Sequence, residues 1–230
     1  MKTIGLLGGM SWQSTIDYYR ILNDEVARRL GGLHSAKIVM YSVDFSEIAE
    51  MQRRGEWDAA GAVLAEAARN LERADADMVL IGANTMHLVA DAVQQAVRIP
   101  LVHIADATAA RVRQAGLTRV GLLGTRYTME KDFLKDRLAS HGLTVYVPDA
   151  EDREEVHRII YEELCLGIIT EESRKRVTEA AERLVGQGAE GILLSCTELP
   201  LLIRPGDLSV PDFDTTRIHA ERAVELALSE

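Results

Sequence analysis

Leu193-Leu194-Ser195-Cys196-Thr197-Glu198 is an apolar run that ends in a thiol and two polar side chains. An earlier run, Val79-Leu80-Ile81-Gly82-Ala83-Asn84-Thr85, has the same form, with Ala83 where the thiol would be. Ala83 and Cys196 are 113 residues apart, and Ile4-Gly5-Leu6-Leu7-Gly8 matches Val120-Gly121-Leu122-Leu123-Gly124 at an offset of 116. Two motifs that recur in the same order at nearly the same spacing indicate a duplicated chain.

Short apolar runs alternate with longer amphipathic ones, which is typical of parallel α/β units. The pattern predicts an α/β fold of two pseudo-symmetric lobes, each a mostly parallel sheet flanked by helices. The predicted strands are 3–7, 36–42, 78–82, 101–103, 119–123, 144–147, 191–195 and 210–213. The predicted helices are 14–29, 46–53, 58–73, 86–96, 105–115, 129–140, 153–166, 171–187 and 215–228, and Ser14, Ser46 and Thr215 are the expected N-caps.

The repeat also predicts the domain boundaries. We expect a first lobe made of residues 1–115 plus a returning segment, 209–230, and a second lobe made of residues 116–208. Ligands of open α/β sheets bind beyond the carboxyl ends of the strands. The loops that begin at Gly8, Ala83, Gly124 and Cys196 should therefore line an active site in the cleft between the lobes.

Composition narrows the function classes. The chain has 230 residues, 47% of them hydrophobic, and a formal net charge of −10, which argues against a nucleic-acid partner. Its apolar runs are short and interrupted, so no membrane span or signal peptide is predicted. Two cysteines without a signal sequence predict free thiols in a cytoplasmic setting. A small molecule is the expected partner.

Cys196 is the candidate nucleophile or acid–base group. A buried structural cysteine is the alternative reading, but the strand end and the following helix-like segment would lower its pKa and favour the thiolate. Cys165, which falls in a predicted helix, is expected to be a packing residue. Asn84, Thr85 and Thr197 follow the two strand ends and could hold a ligand carboxylate, or could simply cap helices.

Other motifs are weaker. Gly8-Gly9 lacks the spacing of a nucleotide-binding loop, so these glycines more plausibly let the backbone approach a small ligand. Arg53 and Arg54 could bind a carboxylate or could mark a solvated helix end. The spacing of His, Cys, Asp and Glu predicts no metal site.

The chain resembles the aspartate/glutamate racemase family through Met1–Trp12, Asn84-Thr85-Met86-His87 and Leu194–Leu199, and more closely its broad-specificity branch through Leu30–Ala36 and Gln52–Trp57. The resemblance implies an isomerase that racemises an amino acid without pyridoxal phosphate or metal, usually as a homodimer. A thiolate removes the α-proton and an acid on the other face returns one. Family positions that contact substrate match Met10, Gln52, Asn84, Thr85 and Thr197, and Thr125 and Tyr127 plausibly join them.

Ala83 departs from the family at the first catalytic position, which is usually Cys and in some relatives Thr. Because a methyl group cannot exchange a proton, a two-base cycle is impaired. Three accounts follow: an engineered variant, a one-thiol decarboxylase or lyase, or a protein that only binds an amino acid. The family-like surroundings of Ala83 favour the first. Cys165 falls where members acting on acidic substrates carry lysine, which weakens a strict aspartate assignment.

Overall fold

The computed structural model describes residues 1–229 and contains two compact units. One unit consists of Met1–Ile104 with the segment that starts at His219, and the other is Ala105–Ile218. The strands are β1 (Ile4–Gly8), β2 (Ile38–Ser42), β3 (Met78–Ile81), β4 (Leu101–Val102), β5 (Arg119–Gly124), β6 (Thr144–Tyr146), β7 (Gly191–Ser195) and β8 (Asp212–Asp214).

The α-helices are α1 (Trp12–Leu30), α2 (Phe45–Arg54), α3 (Trp57–Arg73), α4 (Ala90–Ala96), α5 (Ile104–Gln114), α6 (Arg126–Glu130), α7 (Asp132–Ser140), α8 (Ala150–Arg158), α9 (Glu171–Gly186), α10 (Leu199–Leu202) and α11 (Thr215–Leu228). Short 3-10 helices cover Thr85–Val89 and Leu164–Leu166, and a π-helical turn covers Ile159–Glu163. Among residues 1–229, no helix combines the length and the apolar character needed to cross a bilayer.

Each unit holds one four-stranded parallel sheet, and the two sheets have the same strand order. The order is β2-β1-β3-β4 in the first unit and β6-β5-β7-β8 in the second. The central strands β1, β3 and β7 are buried along their whole length, as apolar strands covered by helices on both faces should be. The predicted α/β class with two similar halves is therefore confirmed, and every predicted strand is present with ends within two residues of the prediction.

Several predicted helices are interrupted or start elsewhere. The predicted helix 86–96 is a 3-10 turn followed by α4, and 129–140 breaks at Lys131, whose backbone is extended. The predicted helix 153–166 loses α-helical geometry after α8, so Cys165 lies in a 3-10 turn. The N-caps of α1 and α2 are Ser11 and Asp44, because their side chains accept the backbone N–H groups of Ser14 and Ser46, which had been expected to cap.

The first boundary between the units lies earlier than the sequence-based one, after Ile104, and the second lies later, after Ile218. Residues 105–115 and 209–218, assigned to the first lobe from the sequence, group with the second unit. The reason for the later return is that β8 pairs in parallel with β7, with Phe213 opposite Leu193. Only from His219 onward does α11 join the first unit, where Ala220, Ala223 and Val224 are buried.

His219 fixes α11 to the first unit through two buried hydrogen bonds. Its Nε2–H donates to the carbonyl of Val102 at 2.7 Å, so its Nδ1 is the acceptor for the Tyr18 hydroxyl at 2.8 Å. Both ring nitrogens are used in the neutral form, and burial lowers the pKa of His219 to about 4. The imidazole therefore ties α1, β4 and α11 together only while it is uncharged.

Acidification should destabilise the protein through His219. Since its folded pKa of about 4 lies below the ordinary value of 6.5, the unfolded chain binds the proton first, and stability is lost as pH falls from about 6.5 to 4. This group alone should reduce the free energy of unfolding by about 3 kcal/mol between pH 7 and 4. Urea titrations of wild type and His219→Gln across this range measure the effect. Equal pH dependence in both proteins would contradict it.

Candidate active site

The carboxyl end of β3 carries the first group of predicted site residues. Ala83, Asn84 and Thr85 follow the strand directly, and all are at most 9% exposed. The backbone N–H of His87 donates to the Asn84 carbonyl at 3.1 Å, which bends the chain into the following 3-10 turn. The turn thus presents short polar side chains next to the methyl group of Ala83, as expected from the sequence.

The loop after β1 is shaped by packing within its own unit. Gly9 has a φ of +89°, and a Cβ there would lie 2.2 Å from the carbonyl oxygen of Val43. Its N–H donates to the hydroxyl of Thr15 at 2.8 Å. Close approach to protein backbone therefore suffices to require glycine here, and approach to a ligand stays a prediction. Met10, the next residue, is 6% exposed and belongs to the apolar cluster that contains Ala83 and Met86.

Gln52 joins the same region from α2. It is 4% exposed, and its Nε2 donates to the sulfur of Met86 at 3.1 Å, which brings α2 close to the turn after β3. Its neighbours Arg53 and Arg54 are exposed, and both pair with Glu50. For these two arginines the structure favours the solvated helix end over a carboxylate site, since their partner is already on the same helix.

The second unit carries the thiol of Cys196 at the end of β7. Cys196 Sγ donates a hydrogen bond to Oε2 of Glu198 at 2.9 Å, and Thr197 Oγ1 donates to the same oxygen at 2.7 Å. Cys196 and Glu198 are 9% and 6% exposed. The carboxylate therefore gathers the two preceding side chains around one buried oxygen. An acceptor that receives two hydrogen bonds in this way holds its donors in a fixed geometry.

The predicted low pKa of Cys196 is wrong. Burial raises its pKa well above the ordinary value, and the negative charge of Glu198 and the nearby Cys165 raise it further. The following helix α10 has only four residues, so its dipole is small beside a full carboxylate charge two residues away. Cys196 is consequently a protonated thiol at neutral pH.

Tyr161 and Cys165 extend this environment from the segment after α8. Burial raises the pKa of Tyr161, and the charges of Cys196 and Tyr127 add to the effect. Burial and Glu198 raise the pKa of Cys165 to about 12. Cys165 packs against the cluster that contains Cys196, in agreement with its predicted packing role. The side chains that raise the pKa of the Cys196 thiol, besides burial, are thus Glu198 and Cys165.

Thr125 and Tyr127 lie on the loop and helix after β5. Thr125 caps α6, because its hydroxyl accepts the backbone N–H of Thr128 at 3.3 Å. The ring of Tyr127 stands edge-on to His157, with ring centres 6.0 Å apart, and the guanidinium of Arg126 lies 5.8 Å from its centre. Burial and the charge of Arg126 lower the pKa of His157, so this imidazole is neutral.

Within each unit the structure brings predicted residues together. One group in the first unit consists of Met10, Gln52, Ala83, Asn84 and Thr85. In the second unit, Cys196 lies beside Thr197, and, besides burial, both Cys196 and Tyr127 raise the pKa of Tyr161. Glu198 was missed as a functional residue. The sequence signal for Glu198 was its spacing, because an acidic side chain two positions after a thiol at a strand end is close enough to form a hydrogen bond with that thiol. The roles of all these residues toward a substrate stay predictions.

Removing the charge of Glu198 should lower the pKa of Cys196 without bringing it to the ordinary value, because burial is the larger cause. In a Cys165→Ser background, Glu198→Gln should be alkylated by iodoacetamide about tenfold faster at neutral pH. Rates from pH 7 to 10 measure the shift. Glu151→Gln, on the exposed start of α8, is the matched control and should not change the rate. A slower reaction of Glu198→Gln would contradict the assignment.

Comparisons with known proteins agree on one family. The model of the Asp/Glu/Hydantoin racemase family matches residues 7–223. A provisionally assigned Asp/Glu racemase from Yersinia pestis is 53% identical, with complete coverage of both chains and a TM-score of 0.94. An aspartate racemase homologue from Pyrococcus horikoshii OT3 is 39% identical, again over both whole chains, with a TM-score of 0.86. The broad specificity amino-acid racemase RacX of Bacillus subtilis (strain 168) is 23% identical over 98% of each chain.

Proposed function

We propose that this chain, which belongs to the Asp/Glu/Hydantoin racemase family, transfers protons at the α-carbon of an amino acid through the thiol of Cys196. The observation that carries the proposal is the 2.9 Å hydrogen bond from Cys196 Sγ to Glu198 at the end of a buried strand. A structural cysteine has no need of a buried carboxylate partner. A thiol that must lose and regain a proton does, because the carboxylate can take that proton.

The proton balance follows from this pair. When the thiol acts as an acid, Sγ–H is transferred to the α-carbon of the enediolate, and the sulfur is left as a thiolate. When it acts as a base, the S–H proton first moves to Oε2 of Glu198, and the thiolate then takes the α-proton. Thr197 Oγ1, 2.7 Å from Oε2, stabilises the carboxylate while Glu198 is charged. Burial strengthens both hydrogen bonds by excluding water.

The developing enediolate needs hydrogen-bond donors at the α-carboxylate. Oriented backbone N–H groups at the strand ends are the candidates, with Asn84 and Thr197 beside them. The proposed substrate-contacting residues are Met10, Gln52, Asn84, Thr85, Thr125, Tyr127 and Thr197. This chemistry uses side chains of the protein alone, so we propose that it proceeds without pyridoxal phosphate.

Ala83 limits the reaction to one thiol. Its methyl group cannot take or return a proton, so racemisation by two groups is impaired in this chain. The interpretation of Ala83 as an engineered replacement stays a prediction, and sequencing the source gene at this position decides it. The other two accounts are a one-thiol decarboxylase or lyase and an amino-acid-binding protein. Both involve the same residues, and the experiment below distinguishes them from a racemase.

The chain should exchange α-hydrogen with solvent through Cys196, on one enantiomer only. Incubation of both enantiomers of glutamate, aspartate, alanine and methionine in deuterium oxide, followed by proton NMR, measures exchange. Cys196→Ser should reduce the rate at least about 100-fold, since a serine hydroxyl is a far weaker acid. Cys165→Ser is the control thiol and should retain exchange.

A second part of the experiment introduces a thiol at position 83. Ala83→Cys should give racemisation detectable by chiral chromatography, because a thiol then stands at the first position. If Ala83→Cys racemises no amino acid and wild type exchanges none, the racemase proposal fails. Carbon dioxide release from aryl- or alkylmalonates would then identify the one-thiol lyase. Amino-acid binding by calorimetry, unaffected by Cys196→Ser, would identify the binding protein.

We also propose that the protein is a homodimer in the cytoplasm. The α1 stripe, made of Trp12, Ile16 and Tyr19, has helical spacing, and each side chain is more than half exposed. Exposed apolar stripes of this kind favour contact with another protein surface, and a second copy of the chain would bury them. Cys165 and Cys196 are both free thiols, which supports a reducing compartment.

Charge in the α1 stripe should dissociate the dimer. Ile16→Arg is expected to halve the mass measured by light scattering, because a buried unpaired charge is costly at an interface. Ile169→Arg introduces the same charge at an equally exposed isoleucine of the second unit and should leave the mass unchanged. A monomeric wild type, or an unchanged mass for Ile16→Arg, would rule out this interface.

A further inference from the structure

We infer that His87 is a positioning residue, which fixes the turn Ala83–Thr85 by holding the carbonyl of Ala83. The inference rests on the proposed function in so far as that turn receives the substrate carboxylate. His87 itself is 3% exposed and lies one turn further along the chain. Its role is therefore exerted through the backbone of residue 83.

Two hydrogen bonds determine the form of the ring. The backbone N–H of Ile104 points to Nε2 at 3.2 Å, and a backbone N–H can only donate, so Nε2 is the acceptor. Nδ1 must then carry the hydrogen, which it donates to the Ala83 carbonyl at 2.9 Å. The neutral Nδ1–H tautomer is the only form that satisfies both contacts. A charged ring would turn a donor toward the donor N–H of Ile104.

The surroundings of His87 keep it in that form. Its ring meets the ring of His103 edge-on at 4.6 Å and that of His219 at 5.6 Å. Burial lowers the pKa of His87 well below the ordinary value, and His103 and His219 lower it further. The carbonyl of Ala83 is thus held by an uncharged ring that is hydrogen-bonded to the backbone of Ile104, just after β4, and packed against His103 and His219. This anchoring sets the direction in which Asn84 and Thr85 leave the strand.

Two substitutions separate the two contacts. His87→Asn places an amide N–H near the position of Nδ1 and can still hold the Ala83 carbonyl, but it cannot reach Ile104. His87→Gln places an amide oxygen near Nε2 and can accept from Ile104, but it releases Ala83. Amide hydrogen exchange, measured by mass spectrometry on the full chain, should increase about tenfold in residues 83–86 of His87→Gln and stay within about twofold of wild type in those of His87→Asn.

Around Ile104 the pattern should be reversed, with faster amide exchange in His87→Asn than in His87→Gln. His219→Gln, which removes the neighbouring ring, should leave residues 83–86 protected. Equal loosening of both regions by both His87 variants would mean that His87 only fills space, and the inference would be wrong. Should the variants fail to fold, long-range nitrogen–proton NMR of wild type decides the matter, because an Nε2–H or doubly protonated ring would overturn it.

The catalytic consequence is measured separately. In α-hydrogen exchange of the amino acid that wild type uses fastest, His87→Gln should raise KM about tenfold and change kcat less than about threefold, with recovery in His87→Asn. A loss of kcat alone would contradict positioning of the carboxylate. If wild type exchanges no amino acid, the proposed function fails, whereas hydrogen exchange and NMR still test the inference.

Discussion

Parallel pairing of strands that are buried on both faces is the constraint on which the structure depends. β3 pairs along β1, and β7 along β5, with apolar side chains on each side. No titratable group can lie within such a strand without losing its hydration, so polar chemistry begins only where the strand ends. Ala83 and Cys196 stand at those ends. The turns that follow carry Asn84, Thr85, Thr197 and Glu198.

Burial also decides the electrostatics of these turns. In the first unit, His87 and His219 are kept neutral and serve as fixed hydrogen-bond partners. In the second, the thiol of Cys196 is kept protonated by burial and by the carboxylate of Glu198. The same desolvation therefore keeps imidazoles uncharged in one unit and a thiol protonated in the other. The difference lies in the residue type placed at the strand end.

Much of this fold was predictable because its signals are local. The apolar runs of β1 and β7 and the repeated motifs gave the strands and the duplication, since strand burial leaves a continuous apolar pattern. The helix after Arg153 could not be delimited, because the π-helical turn at Ile159–Glu163 has no sequence signature. The N-cap of α1 was placed at Ser14 instead of Ser11, since both residues are good caps and only the backbone distinguishes them.

The residue types of the site were predictable, whereas the pKa of its thiol and the contacts of its buried imidazole were less so. Cys196 and Asn84 were found from their place after a strand. The direction of the Cys196 pKa shift was missed, because it depends first on the burial of the thiol and then on where the Glu198 side chain points, and the sequence contains neither. The interlocking of His87 with Ile104 and His219 was missed for the same reason, since those contacts join distant parts of the chain.

The duplicated turns differ at two positions, which in the second copy hold a thiol and the carboxylate that is hydrogen-bonded to it. With the offset of 113 residues, Cys196 and Glu198 correspond to Ala83 and Thr85, so the first copy lacks the carboxylate as well as the thiol. A change of residue 83 alone would have left the acidic neighbour in place. Within these two turns, the thiol and the carboxylate are therefore confined to the second copy. Under the proposed function, proton transfer by this copy alone would select one enantioface of a planar carbanion, and the handedness of the product would follow from the fold.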